Sequence, residues 1–140
     1  MRFMMLMIPK GYEKAQPGAM PDAKAVAAMM KFNEALQKAG VLLALDGLHP
    51  PSMGARVKFS GGKPKVIDGP FTEAKEVIGG YWMIQVKSKE EAVEWASRCP
   101  GSDNEEIELR QVMEMSEFPA DVQEAASGFS ELQTGKRKVS

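Results

Sequence analysis

The run Arg-Phe-Met-Met-Leu-Met-Ile at residues 2–8 is apolar at every position after Arg2. Side chains alternate between the two faces of a β-sheet, so Phe3, Met5 and Met7 point one way and Met4, Leu6 and Ile8 the other. A strand that is apolar on both sides must be covered on both sides. The run stops at Pro9 and Lys10, too short for a membrane span of roughly 20 residues or for a secretory segment with its cleavage site. The sequence therefore predicts a central strand in a soluble, unexported chain with no membrane partner.

Residues 9–21 hold three prolines and two glycines around Tyr12, a loop long enough to carry function. Over residues 23–39, the apolar stripe Ala25, Met29, Phe32, Leu36 and Ala39 predicts an amphipathic helix, with Asp22 as its cap and Gly40 as its stop. A strand at 41–45 leaves through Asp46-Gly47-Leu48-His49-Pro50-Pro51, a turn stiffened by two prolines. Residues 55–59 alternate Ala55, Val57 and Phe59 with Arg56 and Lys58, the pattern of a half-buried strand. Ser60-Gly61-Gly62-Lys63 is a hairpin-type turn, and 65–67 is a short returning strand.

Residues 72–78 are too short and too charged for a core helix and read as a turn or a loop-bound helical piece. Residues 81–86 are a strand whose Tyr81 and Trp82 face opposite ways, one toward the helices and one toward a pocket or a dimer partner. Ser88-Lys89-Glu90-Glu91 is a capping box opening a second helix, with Ala92, Val93, Ala96 and Cys99 facing inward until Pro100-Gly101. Residues 107–113 give the last strand. Residues 120–126 suggest a short helix, and 127–140 a frayed end whose Lys136-Arg137-Lys138 cluster is solvated.

This order matches the split βαβ ferredoxin-like plan of the α+β class: an antiparallel sheet with both helices on one face. The expected organisation is a domain over residues 1–118 and an extension over 119–140. Helices on one face leave the far side of the first strand bare. A second copy would supply the cover, in a homodimer with two sheets face to face and roughly 1,600 Å² or more buried. The alternative is that long loops or the tail fold over the sheet.

Eighteen basic side chains against nineteen acidic give a net charge of −1, which argues against the phosphate-neutralising surface of a nucleic-acid binder. One cysteine and one histidine make neither an intrachain disulfide nor a Cys/His zinc cluster, so no metal and no cofactor are expected, and a reducing cytoplasm fits. Gly61-Gly62-Lys63-Pro64 lacks the spacing of a phosphate-binding loop, which excludes P-loop NTPases and Rossmann oxidoreductases. Cys99 reads as a small apolar group, and the eleven methionines as adaptable core filler rather than a copper site.

The segments Asp68-Gly69-Pro70-Phe71, Lys75-Glu76 and Gly79-Gly80-Tyr81 stand in order behind the Met-rich first strand and the Gly47-Leu48-x-Pro50 turn. They are followed by Glu94-Trp95-Ala96 and Pro100. Across about 110 residues this ordered set resembles the DGPF-domain branch of the YCII-related proteins. The resemblance implies a ferredoxin-like dimeric α/β barrel of the bacterial cytoplasm with a mostly unassigned activity. Relatives are often encoded near, or fused to, extracytoplasmic-function sigma factors, which implies a transcription-related protein partner. The wider group has been likened to muconolactone isomerase and other dimeric α/β barrel enzymes, with a His and an Asp in a cleft as the suspected acid/base pair. Here that pair falls on His49 and Asp68.

An aspartate in a partly apolar cleft near Phe71 and Tyr81 would be desolvated toward the range of a general base. The structural reading of Asp68-Gly69-Pro70 is turn chemistry: a carboxylate accepting backbone N–H groups, a glycine with a special φ and a proline fixing the next. His49 is either a hydrogen-bonded turn residue or, as the only imidazole, the acid/base histidine. A Ser-His-Asp set built from Ser52 or Ser60 lacks a nucleophile-elbow sequence. Glu73 reads as solvated, while Lys75 and Glu76 anchor the loop beside the cleft. Arg56 is either exposed or placed to hold a carboxylate ligand. Phe71, Lys75, Tyr81 and Arg56 are thus the candidate ligand-binding residues. Two functions are consistent with these residues: a small-molecule-binding, acid/base enzyme acting on a small organic acid or cyclic metabolite, and a non-enzymatic accessory module. The residues name no particular ligand.

Overall fold

The computed structural model describes residues 1–71 and 76–129. In chain order the elements are β1 (Arg2–Ile8), α1 (Ala23–Lys38), β2 (Leu42–Gly47), β3 (Ala55–Ser60), β4 (Lys63–Asp68), β5 (Gly80–Gln85), α2 (Lys89–Ser97), β6 (Glu106–Gln111) and a short α3 (Ala120–Ala125). A four-stranded antiparallel sheet runs β2-β5-β1-β6, and β3-β4 form a separate two-stranded sheet. This is the α+β, split βαβ ferredoxin-like arrangement, with the doubly apolar β1 in the interior of the sheet as its composition requires.

The register sorts the side chains into rows across the sheet. On the helix side lie Leu45–Trp82–Met5–Leu109 and Leu42–Ile84–Phe3–Gln111. Phe32 and Leu36 of α1 and Ala92 of α2 close over these rows, with Met29, Trp95 and Cys99 packed at the margin. Met5, Leu36 and Ile84 are fully buried, each contributing on the order of 1.5–3 kcal/mol. The Phe32 ring meets Trp82 edge-on with centroids 5.7 Å apart. Trp82 Nε1 donates to Asn33 Oδ1 at 2.8 Å, so the largest core side chain has its one polar atom satisfied.

The helix signals are partly realised. Ser88 Oγ accepts from Glu91 N–H, but the Glu91 carboxylate accepts from Lys87 N–H, one residue earlier than a standard capping box. Asp22 stands at the start of α1, yet its side chain caps no N–H. Val93 is exposed rather than inward-facing, because it lies about 100° around the helix from the buried Ala92.

The opposite face of the sheet carries the rows Ala44–Met83–Met4–Arg110 and Asp46–Tyr81–Leu6–Glu108. Met4, Leu6 and Met83 remain only half-buried there. At the edge, Arg2 grips Glu114 through two bonds of 2.8 and 3.0 Å.

The β3–β4 hairpin turns at Gly61 and Gly62, both with positive φ (60° and 77°), the backbone of a tight primed turn. Its strands are exposed throughout, which corrects the expectation of a half-buried β3. The alternation is real: Val57, Phe59, Pro64 and Val66 share one face, and Arg56, Lys58, Lys63 and Lys65 the other. However, Phe59 is 77% exposed, because no described element of the chain lies against the apolar side. Among the described residues no helix is long and apolar enough to cross a membrane. Glu73 and Lys75, and the basic cluster at 136–138, lie outside the described residues.

Candidate functional site

The first strand, the loop after it and the turn after β2 meet at one end of the sheet. Gly79 N–H donates to Met7 C=O at 2.8 Å and Leu48 N–H to Gly79 C=O at 2.9 Å, so the backbone of residues 47–49 is tied through Gly79 to β1. Pro50 is fully buried and pins the turn, leaving the preceding His49 exposed. The proline-rich loop is fastened to the same turn twice: the Tyr12 hydroxyl donates to Leu48 C=O, and Ser52 Oγ donates to Ala15 C=O at 3.1 Å. Burial pushes the Tyr12 phenol above its usual pKa.

These segments enclose a cavity of about 550 Å³. Its lining is largely apolar, with Met7, Pro9, Met20, Pro21 and Leu48, and includes His49 and Tyr12. A neighbouring cavity of about 400 Å³ shares Met7, Pro21, Gly47 and Gly79 with it and adds Asp46, Tyr81, Asn33 and Trp82. On the sheet face away from the helices, Tyr81 donates a 2.6 Å hydrogen bond to Asp46 Oδ2. Tyr81 and Trp82 do face opposite sides, as strand alternation requires, with Trp82 against the helices.

Asp68 is placed elsewhere. It ends β4 opposite Ala55, is exposed, and lines neither cavity. Among the described residues no hydrogen bond reaches its carboxylate. The reason for the neighbouring glycine also differs from the expected special φ, since Gly69 is not among the positive-φ glycines. A Cβ there would lie 1.6 Å from the Pro51 carbonyl oxygen, and Gly69 N–H donates to Gly54 C=O at 2.9 Å. Gly69 thus clamps the root of the hairpin against the Pro51–Met53 turn by close backbone approach.

Arg56 and Phe71 are brought together: the guanidinium sits 4.1 Å from the ring centroid, a cation–π contact that fixes a planar cation at the hairpin root. Lys75 lies outside the described residues. Cys99 is half-buried, 3.9 Å from Met29 Sδ; burial, reinforced by Glu105, pushes its thiol up to about 11. Among the described residues no cluster of three His, Cys, Asp or Glu side chains is arranged for a metal ion.

Sequence reasoning passed over Asp46 and Tyr12. The available signal was position: Asp46 opens the turn that carries His49, and Tyr12 stands alone between prolines in the long loop.

The model of the YCII-related domain matches residues 1–116. The chain belongs to the YCII-related domain family. An uncharacterized protein of Rhizobium meliloti (strain 1021) is 37% identical to this YCII-related domain over 59 residues, which cover 42% of this chain and 48% of that relative. The match therefore spans about half of the relative's length.

Proposed function

We propose that this YCII-related protein belongs to the DGPF branch and acts in the bacterial cytoplasm as a homodimer. In this reading it binds a small organic acid or cyclic metabolite in the cavity beside His49. The observation that carries the reading is that cavity: a volume of about 550 Å³ with a largely apolar lining that includes the polar residues His49 and Tyr12 is the usual composition of a small-ligand site. His49 is the residue of that lining whose side-chain type most often serves as a general acid or base. The homodimer is supported by the half-buried Met4, Leu6 and Met83 on the sheet face away from the helices. Two such faces packed together would give the dimeric α/β barrel.

The test is a thermal-shift panel of small mono- and dicarboxylic acids and lactones against the wild type and His49→Gln. A ligand at 100 times its dissociation constant stabilises the native state by about 2.7 kcal/mol, a shift of several degrees. At least one compound is expected to raise the melting temperature of the wild type and to lose that effect in His49→Gln. No shift from any compound, or equal shifts in both proteins, overturns the reading.

The exposure of Asp68 favours a second reading, a non-enzymatic accessory module acting on a transcription-related protein. Its support would be recovery of a transcription component by the tagged full chain, lost in a variant of the exposed Asp68 turn.

A further inference from the structure

The β3–β4 hairpin has two features that the chain does not resolve by itself. Lys58 and Lys65 are directly opposed on one face, a like-charge pair that destabilises a two-stranded ribbon. Arg56 and Lys63 stand on the same face. Among the described residues none of these four cations has an ion-pair partner, since the salt bridges there are Arg2–Glu114, Arg98–Glu94 and Arg110–Glu108. The other face exposes Val57, Phe59 and Val66. A lone hairpin of this kind is marginal in water, so both its faces call for a partner that is acidic on one side and apolar on the other.

The chain carries such a surface. Among the described residues β6 is an edge of the four-stranded sheet, with its outer side unpaired. Along it Glu106 and Glu108 alternate with Ile107 and Leu109. Glu108 shares its face with Arg110, whose Nη1 is 3.4 Å from its carboxylate, while Glu106 is exposed and has no ion-pair partner among the described residues. Asp103 and Glu105 lie just before the strand. Along β3, Arg56 and Lys58 alternate with Val57 and Phe59. Both strands repeat every two residues, so side-by-side pairing sets cation beside carboxylate on one face and apolar beside apolar on the other. β3 is the better partner of the two hairpin strands because β4 contains Pro64, which has no N–H to give a ladder.

We infer that the outer edge of β3 pairs with the outer edge of β6 in a second copy of this chain, adding the hairpin to the partner's sheet. The inference rests on the homodimer reading and names the surface that holds the dimer. Two-fold symmetry forms the contact twice, each hairpin reaching the other copy's β6. An exposed edge strand is a ready template for such addition.

Sedimentation velocity of the full-length chain tests it with two charge reversals. Lys58→Glu/Lys65→Glu keeps a like-charge pair inside the hairpin but inverts the sign it presents. Glu106→Lys/Glu108→Lys inverts the edge it would meet. Wild type is expected at twice the 15.3 kDa chain mass, each variant alone is expected to dissociate at least tenfold more readily, and an equimolar mixture of the two should return to the doubled mass as a heterodimer. A variant as dimeric as wild type, or a mixture that stays monomeric, overturns the hairpin contact while leaving a sheet-face dimer standing. A wild type that sediments as a single chain overturns both the contact and the homodimer reading.

Discussion

The Tyr81 hydroxyl donates a 2.6 Å hydrogen bond to Asp46 Oδ2 directly across the β2–β5 register. The bond holds the exit of β2, and so the turn carrying His49, against the sheet. Asp46→Ala is expected to lower stability by about 1 kcal/mol or less, because the pair is exposed. Urea unfolding measures the change; a midpoint equal to wild type would show that the bond does not anchor the turn.

Gly69→Ala is expected to be far more damaging. The new Cβ would meet the Pro51 carbonyl oxygen at 1.6 Å, and the neighbour is backbone, so relief requires the hairpin root to move. The expected loss is about 2 kcal/mol or more, read by the same unfolding experiment. A loss within error of zero would contradict the clamp.

The Arg2–Glu114 pair predicts a pH dependence. Hydrogen bonding from the Arg2 guanidinium holds the Glu114 carboxyl below its ordinary value of 4.5. The native state therefore binds fewer protons than the unfolded chain in the acid range. The stabilisation is fully present above the unfolded pKa and is lost as pH falls through the folded one. Glu114 is 37% exposed, so solvent screening limits the effect to below about 1 kcal/mol. Glu114→Gln should differ most from wild type at neutral pH and converge with it in acid, once the native carboxyl is protonated. A difference that grows on acidification would reverse the assigned sign.

Cys99 should be slow to modify. With its thiol pushed up to about 11 by burial, the thiolate at pH 8 is about a hundredfold scarcer than for a free cysteine. Ellman's reagent is expected to react with the native protein at least that much more slowly than with the chain in guanidinium. Equal rates would mean that the thiol is open to solvent.

The elements that could be read from the sequence are those whose cause is local. β1 needed only its unbroken apolar run, α1 its stripe through Met29, Phe32 and Leu36, and the hairpin turn its paired glycines. Readings failed where the deciding neighbour is distant in sequence. Nothing around Gly69 says that Pro51 lies against it. The alternation in β3 identifies an apolar face but not whether the chain itself covers it. Asp68 stands out through its motif, whereas the placement of Asp46 follows only from β2 pairing with β5, which brings it to Tyr81. His49 was legible as the sole imidazole. Its place in a cavity wall depends on Pro50 being buried and on the Tyr12 loop folding back, which no local pattern records.

The central claim is that a strand apolar on both sides is completed by a second copy of the chain. Sedimentation equilibrium at micromolar concentration tests it most directly, with wild type beside Leu6→Asp, which puts a charge on the half-buried face away from the helices. The account predicts twice the 15.3 kDa chain mass for wild type and the single-chain mass for Leu6→Asp. A wild type that remains at 15.3 kDa, or a Leu6→Asp variant that stays as dimeric as wild type, would contradict it.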